Sequence, residues 1–235
     1  MARLHHLEAR SFARWQVDRQ IAERFWRDEA SRPIAPDVIT ISREYGSGGT
    51  TVAKIVAREL NLKLYDREII EHMAELLRMG ADKLEGLEEG APRGVAEIIH
   101  GALERLPTSA TYRRTLSEVV RAVAQQGNVI IVGRGAACIL PHSLRVRIIA
   151  PFEVRVARVA ELEGISEQEA RHKVARADSE RRAFARTHLR CDLSDPNLYD
   201  LIVNTERTSL EHAAELIIAA AEQRKRKGAS DTQAQ

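Results

Sequence analysis

Glycine and hydroxyl residues cluster in one short stretch whose spacing could cradle a phosphate group. The chain reads ITISREYGSGGTTVAKIVAREL from Ile39 to Leu60, which is an apolar run, a glycine turn and an amphipathic pattern. A strand, a glycine loop and a helix N-terminus in this order aim backbone N–H groups and the helix dipole at an anion. The residues predicted to bind phosphate are Gly46, Ser47, Gly48, Gly49, Thr50 and Thr51.

The loop departs from the standard phosphate-binding motif G-x-x-x-x-G-K-[ST]. With Gly48 aligned to the second glycine, Arg43 takes the position of the first glycine and Gly49 that of the lysine. Thr50 falls on the magnesium-binding hydroxyl, with Thr51 as a second candidate. The stretch therefore keeps hydroxyl groups for a metal ion but lacks the lysine that reaches the β- and γ-phosphates. An ordinary connection between a strand and a helix is the alternative interpretation.

Two more polar groups follow short apolar runs. Arg134 lies between glycines directly after the run at 128–132, and Asp66 with Arg67 follows the run at 62–65. Open α/β sheets bind ligands at the carboxyl ends of their strands, and a guanidinium there can hold a phosphate through two parallel hydrogen bonds. The alternatives are an arginine that only reaches solvent and an aspartate that only caps the next helix.

A strongly basic stretch runs from Arg171 to Arg190 and includes Arg181 and Arg182 near helical spacing. Arginines on a mobile lid could close over phosphates and neutralise the charge that develops during phosphoryl transfer. A plain charged helix face with ion pairs between successive turns is the alternative.

These candidate groups require an α/β fold, because apolar runs alternate with helical patterns from Val38 onward. Such alternation predicts a parallel sheet covered by helices on both faces. The predicted strands are 38–42, 62–65, 128–132, 144–150 and 199–203. The predicted helices are 50–60, 66–79, parts of 94–126, a helix opening at Pro151, 166–187, and a last one from 208 to about 225. Capping boxes are predicted at Ser166 with Glu169 and at Thr208 with Glu211.

The 235 residues suit one α/β domain with an insertion, or two small domains. Residues 1–37 indicate a charged helical arm and a proline-containing linker, and residues 226–235 indicate a disordered tail. Both tryptophans lie in the arm, so we expect it to cover the core, a twin subunit or another partner. A homodimer through this N-terminal helix is one such arrangement.

The composition reduces the number of classes of binding partner to consider. A net charge of +2 does not by itself indicate nucleic acid or a membrane surface, and 4% aromatic residues weaken a single-strand-binding interpretation. No signal peptide pattern or apolar run of about 20 residues is visible, so we expect a cytoplasmic protein. Cys138 and Cys191 lie far apart without metal-ligand spacing, and we expect two reduced thiols.

The successive stretches ITISREYGSGG, LKLYDREII, GNVIIVGRGAACIL and YDLIVNTERTSLEHAAELI resemble the cytidylate kinase-like family of P-loop nucleotide kinases. The resemblance covers about 38–222 and implies a three-layer α/β P-loop fold over 38–225. It also implies a helical insertion that binds the nucleoside monophosphate, at about 66–126, and a lid at about 166–190. The implied reaction is transfer of the γ-phosphoryl group of ATP to a nucleoside monophosphate, with Mg²⁺.

The resemblance also suggests roles for the candidate residues. It implies donor-phosphate and metal binding at 46–51, acceptor recognition by Asp66 and Arg67, and acceptor-phosphate binding by Arg134. Arg181 and Arg182 correspond to lid arginines. Separately from the resemblance, the place of Arg43 beside the loop suggests that it could replace the charge of the missing lysine. Three functions stay open: a kinase for CMP, dCMP or a related small acceptor; a nucleotide-binding regulatory or scaffold module without catalysis; and a nucleic-acid-binding domain.

Overall fold

In a computed structural model, the chain is described over residues 37–66 and 112–233, with side chains over 37–66 and 116–226. The chain divides into two compact units, and residues 34–67 and 124–235 form the one that carries the sheet. Residues 112–123 belong to the other unit. The predicted arm, Arg67 and most of the predicted insertion lie outside the described residues.

The sheet of the described chain has five strands, all parallel, in the order β2-β3-β1-β4-β5. The strands are β1 (Val38–Arg43), β2 (Lys63–Tyr65), β3 (Val129–Val132), β4 (Leu144–Ile149) and β5 (Leu201–Asn204). Their bounds agree with the predicted ones within two residues. Because all strands run the same way, the glycine loop, the turn after β3 and Asp66 all follow strand ends at one edge of the sheet.

Helices connect the strands, as the alternating pattern predicts. They are α1 (Gly49–Glu59), α2 (Tyr112–Gln125), α3 (Ala136–Ile139), α4 (Phe152–Glu163), α5 (Glu167–Phe184) and α6 (Leu210–Gln233). A π-helical turn (Ala185–Leu189) follows α5, and a short 3-10 turn (Pro196–Leu198) precedes β5. Within the described ranges, no helix is long and apolar enough to cross a membrane.

The core lies between the sheet and two helices, α1 and α6. Strands β1 and β3 are buried almost throughout, which is why their sequences are continuous apolar runs rather than alternating ones. Their side chains pack against one face of α1 and one face of α6, including Val52, Val56 and Ile217. Helices α4 and α5 pack on each other around Val159 and Val174. The architecture is the three-layer α/β P-loop fold that the sequence predicts.

The last helix differs from its prediction at both ends. It begins at Leu210, where the Ser209 hydroxyl accepts a hydrogen bond from the His212 N–H, so the capping box predicted at Thr208 is wrong. It also continues to Gln233, beyond the predicted end near Lys225 and through most of the predicted tail. Good helix formers precede Gly228, and a single glycine in a helix costs only about 1 kcal/mol.

The prediction of two reduced thiols is also wrong. Cys138 on α3 and Cys191, just after the π-helical turn, form a disulfide across 53 residues of sequence, with their Cα atoms 6.3 Å apart. The sequence does not reveal this proximity, because it depends on how the α5 segment (α5, the π-helical turn and the residues up to 192) packs against the sheet. In the chain-entropy model, a loop of this length corresponds to about 4 kcal/mol of stabilisation.

The core assignment can be tested with two isoleucines of the same sheet. Ile148 of β4 is fully buried, whereas Ile202 of β5 is 40% exposed. We expect Ile148→Ala to lower the free energy of unfolding by about 2–5 kcal/mol, because it leaves a cavity. Ile202→Ala serves as the matched control and should cost less than about 1 kcal/mol. Denaturant titration followed by circular dichroism measures both, and equal losses would contradict the assignment.

Candidate phosphate-binding site

The glycine loop between β1 and α1 folds so tightly that two of its positions have no room for a side chain. Gly46 and Gly48 both have φ of +79°, in the left-handed region that favours glycine. A Cβ on Gly46 would lie 2.8 Å from the Arg155 carbonyl oxygen, and one on Gly48 would lie 2.5 Å from Leu210. The two glycines therefore let the loop lie flat against α4 and α6.

Helix α1 begins directly at this loop, with Gly48 as its N-cap. Its first intrahelical hydrogen bond runs from the Val52 N–H to the Gly48 carbonyl. The N–H groups ahead of Val52 therefore point out of the helix end, where the helix dipole is positive. Thr50 and Thr51 lie in this first turn with exposed side chains. The loop and the helix end thus have the backbone geometry that an anion cradle requires, and phosphate binding by 46–51 stays a prediction.

Buried polar groups hold the centre of the loop from below. The Ser47 side chain is fully buried and donates to the Glu44 carbonyl at 2.9 Å. The Thr205 hydroxyl, just past β5, donates to the Ser47 carbonyl at 2.8 Å. Arg158 in turn donates to the Thr205 hydroxyl at 3.0 Å. These hydrogen bonds thus fix the position of the loop relative to the carboxyl end of β5.

Glu44 turns away from the cradle and joins the loop to the end of β4. Its carboxylate accepts from the Ala150 N–H at 3.2 Å and lies 3.4 Å from Arg155 Nε and 3.5 Å from Arg147 Nη2. Its backbone N–H donates to the Ile148 carbonyl at 3.1 Å. Because two guanidinium groups neutralise this carboxylate, it does not oppose an anion bound on the other side of the loop.

A buried ion pair connects the loop to two helices. Arg155 of α4 and Asp178 of α5 are 6% and 7% exposed, and their charged groups approach to 2.6 Å. The backbone of Tyr45 lies between them, because its N–H donates to Asp178 at 2.9 Å and its carbonyl accepts from Arg155 at 3.0 Å. The two successive peptide groups that flank Tyr45 are therefore held by opposite charges, which orients the glycines that follow.

The Tyr45 side chain extends this connection to α5. Its hydroxyl donates to Glu163 at 2.8 Å, and the Arg181 guanidinium lies 5.4 Å from its ring centre. Burial raises the pKa of the Tyr45 hydroxyl, and the hydrogen bond to Glu163 raises that pKa further. The Lys173 ammonium lowers the pKa of Glu163, and so does the tyrosine hydroxyl. At neutral pH the phenol therefore stays a donor and the carboxylate a charged acceptor.

Arg43, the last residue of β1, occupies the space that a side chain at the lysine position would need. A Cβ on Gly49 would lie 2.6 Å from the Arg43 Cβ. The Arg43 guanidinium extends across the edge of the sheet, where a Cβ on Gly133 would lie 2.1 Å from its Nη1 atom. Glycine at 49 is thus a consequence of the arginine at 43, whereas the φ of 82° at Gly133 itself favours glycine there. Arg43 places a positive charge between the loop and the turn after β3.

The turn after β3 presents Arg134 in an unusual backbone conformation. Gly133, Arg134 and Gly135 all have positive φ, of 82°, 48° and 66°. A left-handed conformation is uncommon for arginine, and such backbone strain is concentrated at functional sites. The Arg134 guanidinium lies 4.8 Å from the centre of the Phe184 ring, at the end of α5. The turn therefore faces the predicted lid.

The structure brings three of the four predicted catalytic arginines to one region. Arg181 donates to the Arg43 carbonyl at 2.9 Å, Arg43 packs on Gly133, and Arg134 follows that glycine. Arg182, one residue further along α5, is exposed and has no hydrogen bond or ion pair with a described residue. Asp66 is partly buried directly after β2, at the same sheet edge. Arg67 lies outside the described residues.

A magnesium ion would find few carboxylates here. No group of three or more histidine, cysteine, aspartate or glutamate side chains suited to a metal lies within the part of the chain that the structure describes. Mg²⁺ commonly needs only one or two protein ligands, because phosphates and waters complete its shell. The exposed hydroxyls of Thr50 and Thr51 beside the cradle fit that requirement.

Sequence reasoning missed the polar groups under the loop, namely Glu44, Arg155, Arg158, Asp178 and Thr205. Glu44 lies within SREYGSGG, and Asp178 is one acidic residue among many arginines. Their positions in the sequence were therefore at most a weak indication that they contact the loop. Arg155, Arg158 and Thr205 come from separate segments, and only the fold brings them together.

Comparisons with known proteins agree with this geometry. A model of the cytidylate kinase-like family matches residues 38–207. The cytidylate kinase of Pyrococcus horikoshii is 32% identical over 185 residues, which cover 78% of this chain and 87% of that protein. The cytidylate kinase of Methanopyrus kandleri is 33% identical over 196 residues, covering 78% and 92%. An uncharacterized protein from Eubacterium ventriosum has a similar fold, with a TM-score of 0.60 at 23% identity, covering 79% of this chain and 98% of that one.

The contact between Arg43 and Gly49 can be tested by a double-mutant cycle. We expect Gly49→Ala to lower the free energy of unfolding by about 1–3 kcal/mol, because the new methyl group overlaps the Arg43 Cβ. In the Arg43→Gly background the same substitution should cost at least about 1 kcal/mol less, since the overlapping atom is gone. Denaturant unfolding of the four proteins measures this. Strictly additive losses would show that Arg43 does not determine which residue fits at 49.

Proposed function

Since the chain belongs to the cytidylate kinase-like family, we propose that it transfers the γ-phosphoryl group of ATP to a nucleoside monophosphate. CMP, dCMP or a related small acceptor is the proposed substrate, because relatives of about one-third identity are cytidylate kinases. The observation that carries the proposal is the placement of Arg43 and Arg181 beside the glycine loop, with Arg134 on the adjoining turn that the Arg43 guanidinium contacts. Three cations at one edge of the sheet suit a reaction between two phosphate-bearing substrates.

The glycine loop and the start of α1 bind the donor phosphates. The N–H groups of the first helical turn, from Gly49 to Thr51, hold the phosphate oxygens, and the helix dipole adds positive potential. Asp178 and Arg155 contribute indirectly, because they fix the backbone of Tyr45 and hence the loop that follows it. Catalysis of phosphoryl transfer consists mainly of such positioning and of charge stabilisation, without a covalent intermediate.

The arginines divide between the two substrates. Arg134, raised from the sheet edge by its left-handed backbone, holds the acceptor phosphate with two parallel N–H···O bonds. Asp66 and Arg67, after the neighbouring strand, contact the acceptor nucleotide. Arg181 approaches from α5 and stabilises charge that develops on the transferred group. Arg182, exposed one residue further on, reaches the phosphates only if α5 changes its position.

Thr50 and Thr51 would hold Mg²⁺ through their exposed hydroxyls at the start of α1. When bound, the ion neutralises charge on the β- and γ-phosphates. The residues around it supply little negative charge, because Val132 and Gly135 flank the glycine–arginine pair after β3. The donor phosphates themselves would then provide most of the remaining ligands.

Arg43 takes the part of the missing lysine. Its stem fills the space over Gly49 and its guanidinium lies against Gly133, between the donor cradle and the acceptor arginine. A lysine at 49 could not coexist with this stem, so the two departures from the standard motif are coupled. The charge is moved from the helix start to the end of β1 rather than lost.

The second candidate is a nucleotide-binding regulatory or scaffold module without catalysis. The glycine at the lysine position and the lack of carboxylates beside Arg134 favour it. Both candidates require ATP to bind at the cradle, and only the kinase requires turnover. An assay that measures binding and turnover on the same preparation distinguishes them.

The kinase is tested by ADP release from ATP and Mg²⁺ across a panel of nucleoside monophosphates and small alcohols. We expect turnover that depends on one class of acceptor and falls by about 100-fold or more in Arg134→Ala, because the acceptor phosphate loses its bidentate partner. Arg58→Ala, an exposed arginine near the end of α1, is the matched control and should keep full activity. ATP binding without turnover for any acceptor would favour the regulatory module.

The role of Arg43 is tested separately. We expect Arg43→Ala to lower kcat by about 10²–10³ while the fold and ATP binding persist, since a charge near the transferred group is removed. Gly49→Lys alone should not increase activity, because its stem meets Arg43. The double variant Arg43→Gly/Gly49→Lys should exceed Arg43→Gly by at least about tenfold, as the standard lysine then fits. Unchanged turnover in Arg43→Ala would rule out this role.

A further inference from the structure

The disulfide between Cys138 and Cys191 joins two functional elements of the proposed site. Cys138 lies on α3, four residues after Arg134, and Cys191 follows the π-helical turn that ends the predicted lid. Both residues are partly exposed, so a small reagent can reach the bond. The glycine–arginine turn and the end of the α5 segment are therefore covalently connected at an accessible position.

Two close contacts lie beside this disulfide, and both depend on the α5 segment lying close to the turn after β3. Leu189 packs so tightly on the turn that a Cβ on Gly135 would lie 1.9 Å from its Cδ1 atom. Phe184 lies against the Arg134 guanidinium, with 4.8 Å between that group and the ring centre. The disulfide thus holds an aromatic ring against the arginine to which we assign the acceptor phosphate.

We propose that Cys138 and Cys191 form a redox clasp, a reversible disulfide that holds the end of the α5 segment over Arg134 when oxidised and releases it when reduced. The clasp is a modification site that reacts with low-molecular-weight dithiols and disulfides. Cytosolic disulfides, where they occur, are usually transient and redox-sensing, and a partly exposed pair that joins the turn after β3 to the end of the α5 segment suits that use.

The opening reaction is thiol–disulfide exchange. A thiolate of a dithiol reductant attacks one sulfur of the pair, a mixed disulfide forms, and the other cysteine leaves as a thiolate that takes up a proton. The second thiol of the reductant, as a thiolate, then attacks the reductant's own sulfur in the mixed disulfide. The bond to the protein breaks, the protein cysteine leaves as a thiolate that takes up a proton, and the reductant departs as its cyclic disulfide. Two electrons and two protons pass to the protein. In the reverse reaction, a low-molecular-weight disulfide such as oxidised glutathione accepts the two electrons and is itself reduced to thiols.

Reduction should free one end of the α5 segment and not the other. The middle of α5 stays anchored through the Asp178–Arg155 pair and through the hydrogen bond from Arg181 to the Arg43 carbonyl. Among the described residues, the end of the segment contacts the turn through the disulfide and through the packing of Leu189 and Phe184. Opening is therefore expected at residues 184–192, with 167–180 unchanged.

The test compares hydrogen–deuterium exchange of the full chain oxidised by glutathione disulfide and reduced by dithiothreitol. We expect faster exchange in peptides covering 184–192 and 136–140 of the reduced protein, with unchanged exchange in 167–180. The double variant Cys138→Ser/Cys191→Ser should behave like the reduced protein and show no response to dithiothreitol. Each single variant, treated with glutathione disulfide and mapped without reductant, should lack the cross-linked peptide.

Turnover supplies a second measurement, which rests on the proposed function. We expect the oxidised protein to turn over several-fold more slowly than the reduced one, because lid opening limits many kinases, and the double variant to be insensitive to both reagents. If no form turns over any acceptor, the kinase fails while the exchange data still decide the clasp. Free thiols in the glutathione-treated wild type, or equal exchange and equal turnover in both states, would overturn it.

Discussion

The buried ion pair between Arg155 and Asp178 is the interaction on which the rest of the site depends. Breaking such a pair by removing one partner typically costs about 3–5 kcal/mol, because the other charge is left buried without compensation. Here the pair also holds the backbone of Tyr45, by its N–H and by its carbonyl. It therefore connects the glycine loop to both α4 and α5. The orientation of the anion cradle is therefore a property of three packed elements rather than of the loop alone.

The placement of positive charge around the cradle follows from one steric constraint, the Arg43 side chain that fills the space over Gly49. Arg43 at the end of β1 excludes any side chain from Gly49, and its guanidinium lies against Gly133. In the proposed function, the positive charge that standard loops carry on the helix comes from this strand. Arg134 and Arg181 would supply the other guanidinium groups for the phosphates.

The α5 segment has two attachments of different character. Its middle is anchored to the loop by buried charges, whereas its end is fastened to the turn after β3 by apolar packing and a disulfide. A segment held in this way can loosen at its end without releasing the donor loop. Because Phe184 covers Arg134, such loosening would change access to the acceptor position before it changed the donor position.

The sequence alone determined the parallel α/β fold, the glycine loop, and Arg134 as a residue at a strand end. These follow from local pattern, because buried parallel strands are continuous apolar runs and glycines mark sharp turns. It also identified the Ser166 capping box, whose two partners are three residues apart. The last helix was misjudged at both ends, since a neighbouring serine could cap equally well and a single glycine is a weak helix terminator.

Only the tertiary structure decided how the loop is held and which cysteines meet. Arg155, Asp178 and Thr205 reach the loop from three separate segments, and Cys138 reaches Cys191 across 53 residues. Such contacts are set by how helices pack on the sheet, which no local spacing encodes. The reason that 49 is glycine is of the same kind, because the atom that excludes a side chain there belongs to the preceding strand.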